Sequence, residues 1–429
     1  METLRGRRLL FVGFTLFSMF FGAGNLIFPP FLGAQAGVDT WPAMVGFALS
    51  AIGFPILGVV AVAQSGGLEH LAGRVHPRFA AVFTFLIYLA IGPGLAIPRT
   101  ASTSFEMAVV PFLGEGISWA QLAYSAAFFA LAFLVALRPD KLTDRLGRVL
   151  CPCLLALIVI VFLGCVLRPV GYYATAQGGY AALPVVQGFL DGYQTMDTIA
   201  ALNFGLVIAL NIRAGGVTRD EAVVKGTIRA GWIAGGVLLA VYAALAHVGA
   251  MAGGAFPGAE NGTQVLTQMV PALFGPWGAV ILAAIFLIAC LNTCVGLISC
   301  CSTYFHQICP RISYRMWAAF FALVSMVISN AGLNQIIAVS VPVLGVLYPV
   351  AIVLIVLGLC HRWLRHFGRV YPVTIGVTGV FSILFALADL GVPVPGLSAL
   401  PLAGVGLGWL LPACVGVLAG VLLSRWQEA

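Results

Sequence analysis

From Leu9 to Leu32 the chain runs without a single charged side chain, and comparable stretches recur to its end. A helix needs about 20 mainly apolar residues, each rising ~1.5 Å, to cross a hydrocarbon layer about 30 Å thick. Twelve stretches are read as such spans, approximately 9–34, 42–63, 78–110, 119–137, 149–167, 184–211, 228–250, 276–306, 316–329, 335–359, 372–390 and 401–424. Only 8% of the 429 residues are charged and 61% are hydrophobic. A soluble domain carries roughly 25% charged residues, so a soluble enzyme, a disordered chain and a collagen-like chain are excluded. Short alternating segments of the kind a membrane barrel needs are lacking, which makes the chain an all-α polytopic membrane protein.

The basic residues give the orientation. With the N-terminus in the cytoplasm, 19 of the 21 Lys and Arg, all but Arg99 and Arg168, fall on the inner side. Asp39, Glu115, Glu260 and Asp389 fall toward the outer side. Twelve spans with both termini cytoplasmic satisfy the positive-inside rule. The net charge of +7 is thus a membrane-facing asymmetry and does not point to nucleic acid. Three Arg before an apolar run resemble a secretory leader, but the run continues to Leu32 without a small-residue cleavage site and is expected to be a retained span. The cysteines lie mostly within spans as small hydrophobes, and Cys151-Pro-Cys153 is too tight for a zinc site.

Two spans carry residues that do not suit an unbroken membrane helix. In the first, Gly22, Gly24 and Asn25 sit at mid-span, with Pro29 and Pro30 a turn later. In the sixth, Asp191-Gly-Tyr-Gln-Thr-Met-Asp197 places two carboxylates at depth, where ionisable groups mark functional sites. Unwound backbone is tolerated there only where it lines a cavity or touches protein. Breaks in spans one and six fit five spans followed by five inverted ones, 9–167 and 184–359, with two further C-terminal helices over 372–424. A break in the outward-running first span leaves free carbonyls near Ser18 to Phe21, suited to a hard cation, and free amides near Gly24, suited to a carboxylate. Thr195 and the carbonyls of the second break suit an ammonium group. In the eighth span Ala289, Asn292 and Thr293 share one face at i, i+3, i+4 and offer further oxygens to a cation. Close helix packing through Gly22 and Gly24, and interhelical bonding by Asn292 and Thr293, are the competing structural readings.

These residues resemble the branched-chain amino acid:cation symporters, the BrnQ-type LIV-II carriers of bacteria. The resemblance rests on Gly13-Phe-Thr-Leu-Phe-Ser-Met-Phe-Phe-Gly-Ala-Gly-Asn-Leu-Ile-Phe-Pro-Pro-Phe-Leu-Gly33, Ile97-Pro-Arg-Thr-Ala-Ser-Thr-Ser-Phe-Glu106 and Gly192-Tyr-Gln-Thr-Met-Asp197. It extends to Ala289-Cys-Leu-Asn-Thr-Cys-Val-Gly-Leu297 and Ser340-Val-Pro-Val-Leu-Gly-Val-Leu-Tyr-Pro349. It implies uptake of leucine, isoleucine and valine across the bacterial cytoplasmic membrane, coupled to sodium, on the LeuT-like five-plus-five fold of the APC superfamily. The more distantly similar neurotransmitter:sodium symporters carry a Gly-x-Gly-Asn break of this type, here one residue closer to its aromatic-Pro pair. That comparison makes Gly22, Ala23, Gly24 and Asn25 the substrate cradle, and Ser18, Phe21, Ala289, Asn292 and Thr293 the sodium site, with Asn292 replacing a hydroxyl. Asn25 with Thr195 is the second cation site it implies.

Tyr88 and Tyr193 are expected either to line the substrate pocket or to serve in packing. Arg99 and Glu106 share one face of the third span at i, i+7. Arg99 is read as an outer gate or a partner of a carboxylate such as Asp197, against the alternative of a span end in the headgroups. His247 is read as a hydrogen-bonded interior residue, and Gly404-x-Gly-x-Gly408 as no nucleotide motif. The expected partners are branched-chain amino acids, Na+ and the lipid bilayer, with no cofactor, nucleic acid or obligate protein partner. Proton coupling through Asp197 or Glu106 is the alternative; an ion channel is disfavoured without a filter motif. An intramembrane enzyme would need a nucleophile with its base or a metal set, and neither is evident.

Overall fold

The computed structural model describes residues 6–114, 118–137, 139–214, 216–217 and 219–428, without the side chains of 118, 139–151, 206, 210, 211, 214, 427 and 428. Glu115, Arg5 and Arg138 lie outside the described residues, as do the side chains of Lys141, Arg145, Arg148 and Cys151. Among the described residues there is no strand.

The chain opens with α1 (Gly6–Phe20) and α2 (Ala23–Ala36), separated at Phe21-Gly22, followed by α3 (Thr40–Ala48) and α4 (Phe54–Ser65), joined through a π-helical turn. The short α5 (Leu68–Gly73) leads into α6 (Pro77–Leu89), whose N-cap His76 accepts the Arg78 N–H. A second π-helical turn over Ala90–Gly94, non-helical at Gly92, connects it to α7 (Ala96–Ala108). There Gly92-Pro93-Gly94 removes one donor and two Cβ atoms within three residues, which relaxes the ladder. Then come α8 (Val110–Leu113), α9 (Ser118–Ala136) and α10 (Pro139–Leu167).

The next part contains α11 (Gly179–Ala182), α12 (Pro184–Asp191), a 3-10 turn over Gly192–Thr195, and α13 (Asp197–Ala214). It continues through α14 (Asp220–Ala255), α15 (Gly262–Phe274), α16 (Pro276–Ile308), α17 (Tyr314–Ser329) and α18 (Leu333–Leu359). The chain ends with α19 (His361–Leu364), α20 (Val370–Asp389) and α21 (Leu410–Glu428). α15 was not anticipated between the seventh and eighth expected spans. Its N-cap is Asn261, whose side chain accepts the Gln264 N–H, a local signal for a helix start.

Among the described residues, seven helical stretches are long and apolar enough to cross a membrane: Ala23–Ser65, Pro77–Leu113, Trp119–Ala136, Asp220–Ala255, Pro276–Ile308, Leu333–Leu359 and Val370–Asp389. Three shorter apolar helices, Pro152–Leu167, Tyr314–Ser329 and Leu410–Trp426, accompany them. The first and sixth expected spans do not appear as single long helices because each is broken in two. Trp232, Val327, Leu418 and other large apolar side chains face outward, as a lipid-solvated surface requires, while the polar side chains of α7, from Arg99 to Ser104, are buried. α2 packs on α14, α4 on α13, and α7 on α16, so both broken helices lie at the centre of the bundle.

Candidate functional site

The site starts from the two breaks. Phe21 N–H makes the last bond of α1, to Phe17 O at 2.9 Å, and Gly22 then turns extended at φ −134°, ψ −165°. Asn25 supports the turn, its Oδ1 accepting Gly22 N–H at 2.9 Å, an arrangement that stabilises a helix start by occupying an orphan donor. A Cβ on Gly22 would lie 3.0 Å from both Cγ2 and Oγ1 of Thr293, so glycine permits the close approach of α16. Thr293 Oγ1 donates to the freed carbonyl of Phe21 at 3.4 Å.

In the sixth span, Thr195 Oγ1 closes the 3-10 turn onto Gly192 O at 2.9 Å. Met196 then takes a left-handed conformation at φ 66°, uncommon for a residue with a Cβ and a mark of a constrained site. The next residue, Asp197, is 3% exposed and begins α13, where the helix dipole favours a carboxylate. Asn25 Nδ2 donates to Asp197 Oδ2 at 2.6 Å and Tyr242 OH donates to the same oxygen at 3.2 Å. Asn25 and Tyr242 also touch directly. One asparagine thus holds the first break through its Oδ1 and the second through its Nδ2.

Arg99 is also 3% exposed. Its Nη1 donates to Gln194 O at 2.6 Å, and its guanidinium stands 5.4 Å from the Phe28 ring centroid. It forms no ion pair with Asp197; among the described residues the salt bridge is the exposed Arg213–Asp220 at 2.5 Å. Arg99 and Asp197 thus border one cavity without a salt bridge between them: the guanidinium binds a carbonyl released by the break, and Asp197 accepts from Asn25 and Tyr242.

Three cavities organise these groups. The first has about 40 Å³ open to water centres and is lined by Gly22, Ala23, Gly24, Asn25, Arg99, Thr195, Asp197 and Thr293, with apolar walls from Phe20, Ile91, Phe204 and Leu297. The second, about 10 Å³, is bounded by Phe17, Ser18, Phe21, Leu154, Ile288, Ala289 and Asn292. It is about the size of one water, and Ser18 and Asn292 on its border carry side-chain oxygens, a ligand type that suits a small hard cation. No group of three or more His, Cys, Asp or Glu arranged to hold a metal occurs among the described residues. The third cavity, about 680 Å³, is bordered by Glu106, Glu260, Asn261, Thr263 and Asn334.

Tyr88 and Tyr193 are not among the residues bordering the first cavity. Tyr88 stacks on Tyr304 with centroids 3.8 Å apart, and Tyr193 on Tyr348 at 4.3 Å. Of the two expected places, the structure puts both rings in stacked aromatic pairs. Glu106 lies in the third cavity, where Thr263 donates to it. Asp191 accepts from Tyr180 and from Gln187, the latter at 3.1 Å. His247 pairs through Nδ1 with Tyr173 at 2.8 Å, as expected of an interior histidine. The residues that sequence reasoning missed are Tyr242 and Ile91. The Gly92-Pro93-Gly94 run beside Ile91 was a usable signal, whereas nothing in the neighbourhood of Tyr242 distinguishes it.

The fold of this helical bundle is similar to those of solved transporters. The structure of Mhp1, a nucleobase-cation-symport-1 family transporter, in a closed conformation aligns with a TM-score of 0.63 at 14% identity, covering 96% of this chain and 92% of that one. MhsT in complex with L-phenylalanine aligns at 0.58 and 16% identity, covering 99% of each chain. The fold is therefore LeuT-like. Sequence relatives are much nearer: the branched-chain amino acid transport system 2 carrier protein of Pseudomonas aeruginosa is 42% identical over 429 residues, covering 99% of this chain and 98% of its own. Branched-chain amino acid permease BraB of Bacillus subtilis is 39% identical, covering 97% and 95%, and permease BrnQ of Escherichia coli 38%, covering 98% and 97%. A family model described as branched-chain amino acid transport protein matches residues 5–427. With that match running nearly end to end, the protein belongs to the branched-chain amino acid transport protein family, and is a transporter rather than an enzyme.

Proposed function

We propose that the protein is a sodium-coupled symporter that imports leucine, isoleucine and valine across the bacterial cytoplasmic membrane by alternating access. The observation that carries this reading is the adjacency of two cavities at one helix break. One is ion-sized and bordered by Ser18, Phe21, Ala289 and Asn292; the other is polar with apolar walls and bordered by Gly24 and Thr195. Thr293, bonded to Phe21 O, stands between them. The relatives named as branched-chain amino acid carriers support the substrate class.

In this reading the broken pairs α1–α2 and α12–α13 are the first and sixth of twelve spans, five plus five inverted with two further helices, and both termini are cytoplasmic. A cation shared by α1 and α16 stabilises one arrangement of the bundles, the amino acid docks beside it, and one bundle then rocks against the other. Because one methylene in an apolar pocket is worth only ~1–3 kcal/mol, discrimination among leucine, isoleucine and valine is modest.

Counterflow of labelled leucine in proteoliposomes, with sodium, lithium and pH gradients varied independently, tests the coupling. Leucine accumulation that requires sodium is the expected result; accumulation indifferent to sodium removes that half of the proposal. Asn292→Ala and Thr293→Ala are expected to raise the sodium concentration for half-maximal uptake roughly tenfold, the loss of about 1.4 kcal/mol of ion binding. An unchanged sodium dependence in both variants excludes the assigned cation site. A second reading, proton coupling, is favoured by the burial of Asp197 without an ion pair; it predicts accumulation driven by a pH gradient in sodium-free medium.

A further inference from the structure

Resting on the reading of the protein as an amino acid carrier, we infer that Arg99 and Asp197 form the two halves of a clamp for a zwitterion, Arg99 binding the substrate α-carboxylate and Asp197 its α-ammonium. Both side chains border the same cavity, and no salt bridge joins them. Arg99 uses little of its donor set: Nη1 reaches Gln194 O, Nε is buried without a partner, and Nη2 is directed at Gly24, where an added Cβ would lie 2.8 Å away. A buried guanidinium with unoccupied donors is costly unless something fills them, and its planar fork matches a carboxylate.

The start of α2 lies at the same place, so the amides of Ala23 and Gly24 reinforce the preference for an anion there. Asp197 receives Asn25 and Tyr242 on Oδ2, and Oδ1 accepts from neither. Asp197 borders the same cavity as Arg99 and supplies the opposite charge.

The pair sets the chemical class of the cargo. One buried cation and one buried anion are balanced by a solute that carries one of each and no net charge. A monocarboxylate or a monoamine leaves one of the two uncompensated, which is strongly unfavourable in a dry site. The cavity is small in this conformation, about 40 Å³. An arriving carboxylate meets a guanidinium that Gln194 O already holds, which links occupancy to the backbone of the second break.

The test uses the full-length protein in proteoliposomes, with labelled leucine uptake competed by leucinamide, which lacks the carboxylate, and by 4-methylpentanoate, which lacks the ammonium. In the wild type each is expected to compete on the order of 100-fold or more weakly than leucine, as for sites built to pair a polar group. Arg99→Gln should raise the leucine KM on the order of 100-fold and leave leucinamide inhibition unchanged, with Arg99→Lys intermediate because it keeps the charge without the fork. Asp197→Asn should weaken leucine while leaving 4-methylpentanoate unchanged. Wild-type protein that accepts leucinamide as well as leucine overturns the clamp without any variant. A proportional loss of leucine and leucinamide in Arg99→Gln overturns it too, and Arg99→Lys supplies the same ratio if the Gln variant does not fold. Wild-type protein that takes up no leucine under any ion condition fails the carrier reading itself, a distinct result.

Discussion

Gly24→Ala is expected to raise the leucine KM by roughly 10- to 100-fold, the equivalent of one charge-assisted hydrogen bond, with a moderate fall in thermal stability as the buried guanidinium loses its acceptor. The new Cβ would lie 2.8 Å from Arg99 Nη2 and 3.3 Å from Thr195 Cα. Nη2 is the far end of a long side chain, so the strain is relieved by moving the guanidinium rather than the helices. That movement takes Arg99 off Gln194 O and out of the substrate cavity. Uptake kinetics measured beside the unfolding midpoint in detergent check both halves; a normal KM would mean that the position of the guanidinium is irrelevant to transport.

Gly249→Ala is expected to do the opposite, removing folded protein. Its Cβ would lie 1.9 Å from Pro30 O and 2.6 Å from Pro30 C and Cα. Nothing there rotates aside, because the obstruction is backbone. α14 and α2 would have to separate along a contact that continues at Gly253, where a Cβ would lie 2.5 Å from Ala34 O, and at Gly33, 2.0 Å from Ala246 O. Overpacking costs typically 1–3 kcal/mol, occasionally more, and here the upper end, about 3 kcal/mol, is expected. Size-exclusion chromatography and unfolding midpoints of the purified variant are the measurements. Stability equal to that of the wild type would show that the two helices do not need this approach. Gly249 and Gly253 form a G-x-x-x-G pair, the spacing through which membrane helices approach closely. That signal was present in the chain and was missed.

What was legible beforehand came from chemistry that acts within a few residues. Gly22, Gly24 and Asn25 weaken a helix wherever they occur together, and Gly192 to Asp197 do the same, so both breaks were visible as interruptions in apolar runs. Ala289, Asn292 and Thr293 were grouped because i, i+3, i+4 spacing puts them on one face of any helix. The structure brings Ala289 and Asn292 to one small cavity with Ser18 and Phe21, and Thr293 to the carbonyl of Phe21. For Tyr88 and Tyr193 the choice between pocket lining and packing stayed open, because a tyrosine's neighbours in sequence do not say which ring it will stack on.

The amino-acid sequence by itself determined that this is a helical membrane protein and where its helices must break, because hydrocarbon requires every span to satisfy its own backbone. Tertiary structure alone decided what the breaks hold. Asn25 reaches Asp197 across 172 positions, Arg99 reaches Gln194 across 95, and Tyr242 reaches Asp197 across 45. A buried polar group must find a partner somewhere. Periodicity reveals its presence on a helix face, and only the packing of one helix on another selects the partner.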